Sequence, residues 1–184
     1  MMIGLIAVGA AIVLFLLYLI SLYNRLVRRR NQVDNAWGQI DVQLKRRYDL
    51  IPNLVETVKG YASHERGIFD AVSEARARAV GAGGPQAAAE ADGMLSGALK
   101  SLFAVAEAYP DLKANTNFLS LQQELATTED RAAYARQYYN DAVLGFNNSV
   151  STFPTVVFAA MLGFRSREFF RAAGAETAPV RVQF

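Results

Sequence analysis

The chain has 184 residues, 52% of them hydrophobic, enough for one domain and an anchor. It contains no cysteine and one histidine, which excludes disulfides, thiolate metal sites, cysteine nucleophiles and any multi-histidine metal site within one chain. A net charge of +2 is too balanced for a general nucleic-acid binder, so electrostatic roles must come from local clusters.

Residues Ile3 to Leu22 carry no charge. A helix of that length spans roughly 30 Å, the thickness of a bilayer's hydrocarbon core. A cleaved signal peptide would show a basic residue before the run, a shorter apolar core and a small-residue cleavage site. None is present, and Tyr23-Asn24-Arg25 follows directly. The expectation is an uncleaved transmembrane anchor over residues 1–23. Arg25, Arg28, Arg29 and Arg30 come just after it. Flanking basic residues stay cytoplasmic, so the N-terminus is expected outside and the remainder in the cytoplasm. The same arginines are candidate contacts for anionic lipid headgroups; the plainer reading makes them a topology signal alone.

Apolar residues then recur in steps of four and three: Val33, Trp37, Ile40, Leu44, Ile51, Leu54, Val58 and Tyr61, with Arg47 in the one slot that breaks the series. This is a helix face made to pack on other helices, and Trp37 reads as part of that core. Lys45, Arg46 and Arg47 read as a solvated basic patch, with a partner or phosphate contact as the alternative. Pro52 interrupts the pattern. Asp49 is a suitable N-cap, which favours a turn near Tyr48–Ile51 and a new helix to about Val80. The alternative is a single kinked helix to Ala62 that restarts at Ser63. His64 reads as a surface residue.

The stretch from Gly81 to Pro85 is the clearest break. It lacks the GK[ST] and the preceding strand of a phosphate loop. A helix is expected from Gln86 to Tyr109, with Met94, Leu95, Leu99, Leu102, Phe103 and Val105 as its apolar set, closed by Pro110-Asp111. A longer helix follows, from Lys113 to Ser151. Its stripe runs Phe118, Leu121, Leu125, Thr128, Ala132, Ala135, Tyr139, Ala142 and Phe146, with charges interleaved on the other side. Phe153-Pro154 ends it.

Thr155 to Phe164 is apolar but too short to cross a bilayer. Phe164, Arg165, Arg167, Phe169, Phe170 and Arg171 follow, suited either to a membrane interface or to covering the open end of a helical bundle. The residues from Pro179 to Phe184 look extended. The fold class is therefore all-α: a transmembrane helix at residues 1–23 continuing into an antiparallel four-helix bundle with long helices at 24–153, then an apolar, aromatic C-terminal segment at 154–184. A fourth helix returning towards the membrane would carry Phe153–Phe170 back beside Arg25–Arg30.

Two stretches carry a family resemblance. YNRLVRRRNQVDNAWGQIDVQLKRRYDLIPNLVETVKGYASHE (23–65) and YNDAVLGFNNSVSTFP (139–154), with Gly163-Phe164 and Phe169-Phe170, resemble the LemA family. The likeness covers nearly the whole chain. It implies a single-pass bacterial membrane protein with a helical-bundle domain, no established enzymatic activity, and relatives associated with magnetosome membranes.

A structural role follows as the leading expectation: a non-enzymatic helical scaffold of the bacterial inner membrane that self-assembles into a homo-oligomer and shapes the bilayer. The alternative is a tethered adaptor recruiting a partner in envelope stress or protein turnover. No cofactor is expected. Asp34, Asp41, Asp49 and Glu56 supply carboxylates, but a di-iron bundle needs Glu-x-x-His pairs, and His64 is followed directly by Glu65. One histidine gives no basis for a Ser-His-Asp triad.

Overall fold

A computed structural model describes residues 2–171 of the chain. Among these residues there are helices and no strands, as the three-four spacing predicts. In chain order the helices are α1 (Met2–Lys59), α2 (Arg66–Gly81), α3 (Pro85–Glu107), the short α4 (Pro110–Lys113), α5 (Thr116–Ser151) and the short α6 (Thr155–Ala159). The expected extended segment from Pro179 to Phe184 lies outside the described residues.

The expected turn before Pro52 is absent. α1 runs through Pro52 and breaks only after Lys59, with α2 starting at Arg66, so the structure follows the alternative of one helix through Pro52 but breaks three residues before Ala62 and restarts three residues after Ser63. Asp49 is accordingly an exposed interior residue and not an N-cap. Proline at position 52 has no N–H for the carbonyl of Tyr48 four residues back. That carbonyl instead accepts a hydrogen bond from Arg76 Nε of α2, at 2.7 Å. A side chain from a neighbouring helix thus takes over the bond that proline removes.

The remaining breaks have local causes. Gly84 precedes α3 with φ of 85°, a conformation open to glycine, and Pro85 starts the helix where its missing N–H is harmless. Asn115 caps α5, its Oδ1 accepting from Phe118 N at 3.0 Å. Its Nδ2 donates to the Tyr61 hydroxyl at 2.9 Å, tying the turn after α1 to the start of α5. After α6, Phe164 N donates to Ala159 O and Gly163 N to Ala160 O, with Gly163 at φ 79°. This is the paired-bond helix ending that a left-handed glycine makes possible.

The chain divides into two compact units, each drawing on both α1 and α5. The first comprises, among the described residues, 2–36 and 140–167. Its buried side chains include Leu22, Leu26, Val33, Val143, Phe146, Val150 and Phe164. The second comprises, among the described residues, 37–139 and 168–171. Its core takes Ile40, Leu44, Ile51, Leu54 and Val58 from α1, Phe69 and Val72 from α2, Leu95, Leu99 and Leu102 from α3, and Phe118, Leu125 and Ala132 from α5. The α5 stripe is buried at every expected position except the half-buried Leu121. Trp37 is half-buried, its ring 5.7 Å from Tyr139 and 6.4 Å from Phe170, in the core role expected of it. In α3, Met94 is exposed while Asp92 is buried: the inward face is the row Ala88, Asp92, Leu95, Leu99, Leu102, Ala106.

Candidate membrane-interface site

Among the described residues one helix is long and apolar enough to cross a membrane: the start of α1, whose apolar window has no side chain buried within the protein. The C-terminal segment packs along it. Phe158 of α6 meets Phe15 edge-to-face at 6.3 Å. Further along, Phe164 lies 5.7 Å from Tyr23 and 6.5 Å from Phe146, with the Arg30 guanidinium 5.6 Å over its ring. The glycine turn at Gly163 aims Phe164 into that cluster. Two further bonds fasten the strip: Arg167 N donates to Asn147 Oδ1 at 2.8 Å, and Asn147 Nδ2 to Arg167 O at 2.9 Å. The Arg167 guanidinium pairs with Asp34 at 3.1 Å.

The sequence-derived interface residues therefore separate. Phe164 and Phe170 are 5% and 4% exposed, their rings packed inside the protein. Phe170 is held by Trp37 and by Arg136, whose guanidinium lies 5.4 Å over its ring. Phe169 is half-buried beside the Arg171 guanidinium. Arg165, Arg167 and Arg171 remain exposed. The exposed apolar side chains lie earlier, at Phe153 (83%), Val156, Val157, Met161 (84%) and Leu162, within and on either side of α6.

Arg25, Arg28, Arg29 and Arg30 are all exposed, and none pairs with a carboxylate among the described residues. They point to different surroundings. Arg30 covers Phe164. Arg29 Nη1 donates to the carbonyl of Gly145 at 3.1 Å. Arg25 and Arg29 line a niche of 270 Å³ with Ser21, Tyr18 and the α5–α6 turn, which leaves Arg28 outside it.

A second charged constellation was not foreseen. Arg47 is only 6% exposed, so it is not part of a solvated patch with Lys45 and Arg46, both of which are exposed. Its Nη1 lies 2.6 Å from Asp92 Oδ1 and 2.7 Å from Glu129 Oε2, and its Nη2 donates to Ser96 Oγ at 3.0 Å. Arg136 Nη2 completes the set, 2.7 Å from Asp92 Oδ2 and 3.2 Å from Glu129 Oε1. Two cations and two carboxylates from α1, α3 and α5 thus neutralise one another. Burial pushes the Asp92 carboxyl above its ordinary range, against the pull of both guanidinium groups. Burial, and then the nearby Asp92 charge, pushes the Tyr48 phenol up to about 12. Its hydroxyl is buried and has no hydrogen-bond partner among the described residues. A cleft of 460 Å³ opens beside the cluster, lined by Ser96, Lys100, Phe103, Gln122 and Leu125 among others. No grouping of three or more acidic or histidine side chains suited to a metal ion occurs among the described residues.

The model of the LemA family matches residues 36–184. The chain belongs to the LemA family. Among its LemA-family relatives, the magnetosome proteins MamQ 1 and MamQ 2 of Paramagnetospirillum magneticum are each 28% identical over 196 residues, covering 92% of this chain and 72% of theirs. Protein LemA of Metamycoplasma hominis is 27% identical over 161 residues, covering 85% of this chain and 72% of its own. The LemA match begins at residue 36 and so leaves out the apolar start of α1 and the four arginines.

Proposed function

We propose that this LemA-family chain is a non-enzymatic, single-pass membrane protein that acts as a helical scaffold, self-assembles and shapes the bilayer around its anchor. The observation that carries this reading is the contact between Phe158 and Phe15. It sets the exposed apolar side chains around α6 beside the middle of the apolar run. Phe15 lies about 10 Å inside the end of that run at Leu22. A short apolar helix at that depth occupies one leaflet only, and added volume in one leaflet bends a bilayer. So many exposed apolar side chains would not be left to water; acyl chains cover them.

The basic flank Arg25–Arg30 supports placing the N-terminus outside and the helical region in the cytoplasm, at a bacterial inner membrane. The kinship with magnetosome proteins supports a role in organising membrane. Self-assembly draws on exposed Tyr134, Tyr138 and Leu144 along α5, side chains with rigid area to offer a second copy. The non-enzymatic reading rests on composition: no cysteine, and a single exposed histidine without a partner set for acid–base work.

The test is reconstitution of the full chain into large vesicles, followed by electron microscopy. Regular assemblies and narrowed or tubulated membrane are expected. Monodisperse particles on undeformed vesicles would overturn the scaffold reading and favour the adaptor.

A further inference from the structure

We infer that the niche between α1 and the α5–α6 turn is a binding site for one phosphate oxyanion, supplied by the headgroup of an anionic phospholipid. The inference rests on the membrane-spanning reading of α1 and goes beyond it by assigning a discrete site.

Ser21, Arg25 and Arg29 follow one another at four-residue spacing, so they stack on one face of α1 and line the same wall. The site lies where the apolar run ends, at the level of a bilayer's phosphates. Neither guanidinium meets a carboxylate among the described residues. Both are thus available to an outside anion, and guanidinium matches phosphate in planar, paired bonds.

Arg29 is already held in place. Its Nη1 spends one N–H on the carbonyl of Gly145, leaving the others for a ligand. That approach depends on glycine: a Cβ at position 145 would stand 2.9 Å from Nη1. Glycine is a poor helix former compared with alanine, and here it lets an arginine lie against the helix. On the opposite wall, Ser149 and Thr152 donate their hydroxyls to their own helix, to Gly145 O and Asn148 O at 2.8 Å each. Donation to the anion therefore falls to the arginines, with the hydroxyls of Ser21, Tyr18 and Thr155 also on the wall.

A free phosphate would satisfy the same donors. The lipid is favoured because Leu22 and the exposed Phe153 also line the niche, giving an acyl chain an apolar path away from the phosphate.

The experiment uses the full chain in nanodiscs of phosphatidylcholine with a minor fraction of phosphatidylglycerol, released into the gas phase for native mass spectrometry. One phosphatidylglycerol per chain is expected to stay bound. Arg25→Gln and Arg29→Gln should each reduce its retention at least tenfold, and Gly145→Ala should reduce it by displacing Arg29. Arg28→Gln removes the same charge from the same stretch but outside the niche, and should change retention less than twofold. Circular dichroism and alkaline extraction are run on each variant. Equal losses in all the arginine variants would reduce the site to diffuse surface charge and overturn the inference. Equal retention of phosphatidylcholine, or inorganic phosphate occupying the site in place of lipid, would overturn the assignment to an anionic headgroup. Protein that alkali strips from the membrane would overturn the spanning reading itself, a distinct result from a retained span with no bound lipid.

Discussion

Arg76 Nε donates to the carbonyl oxygen of Tyr48 at 2.7 Å, the acceptor that Pro52 leaves without a helical donor. One side chain thereby lets a proline sit inside α1 and fastens α2 to it. Arg76→Met keeps the aliphatic stem but removes the donor, and should cost about 1–2 kcal/mol in chemical denaturation. Pro52→Ala restores the N–H. In that background the Arg76→Met cost should fall to less than half, a coupling measured by a double-mutant cycle. Equal costs in both backgrounds would mean that Arg76 acts through packing alone.

Asp92 stands between two guanidinium groups in the second unit, 3% exposed. Asp92→Ala leaves Arg47 buried with Glu129 as its remaining counter-charge, and should destabilise by about 3–5 kcal/mol. Asp92→Asn retains the shape and isolates the charge. Because the folded carboxyl is raised above its ordinary value of 3.8, the folded chain holds that proton more tightly than the unfolded one. Its contribution to stability is therefore full below pH 3.8 and declines as pH rises through the folded value. The stability of wild type relative to Asp92→Asn should increase on acidification from pH 7 towards pH 4, read by urea titration at each pH. A decrease would show that the two arginines outweigh burial.

The Tyr48 phenol is buried without a partner among the described residues, so its hydroxyl is a cost in this fold. Tyr48→Phe should leave stability unchanged or raise it by up to about 1 kcal/mol at neutral pH. The folded phenol sits near 12 against an ordinary 10. The stability of wild type relative to Tyr48→Phe is therefore constant below pH 10 and falls as pH rises through about 12. Thermal unfolding of both proteins between pH 8 and 12 measures the difference.

Helices were legible wherever the apolar stripe was continuous. Eight of the nine α5 positions read from three-four spacing are buried. Pro52 misled because proline signals the end of a helix locally, and the donor that rescues α1 lies on another helix, invisible to a local pattern. The ionic cluster left a trace that went unread. Arg47 occupies an apolar slot of α1, and Asp92 occupies one of α3, in the row from Ala88 to Ala106. Opposite charges, each filling one core slot of two helices, are the signature of a buried pair. Glu129 and Arg136 left no such mark, since α5 already looked charged on that side. Phe164 and Phe170 left two readings open, because aromatic-arginine alternation serves ring stacking inside a protein as well as it serves a lipid interface.

The depth of α6 is open to direct measurement because the chain has no cysteine, so one introduced thiol gives one labelled site. Phe158→Cys and Phe15→Cys face each other across the 6.3 Å ring contact. Labelled with a small fluorophore and reconstituted with lipids carrying a quencher at defined acyl positions, both should report the same depth, about 10 Å below the level of Leu22. A label at Arg165, exposed beyond the glycine turn, should be quenched by headgroup-attached quenchers and not by acyl ones. Adding Val157→Glu and Met161→Glu should lift the Phe158→Cys label towards the surface while leaving Phe15→Cys in place, since the anchor inserts independently of α6. If Phe158→Cys were quenched only from the aqueous phase in the unmodified background, α6 would lie outside the leaflet and would have no means of bending it.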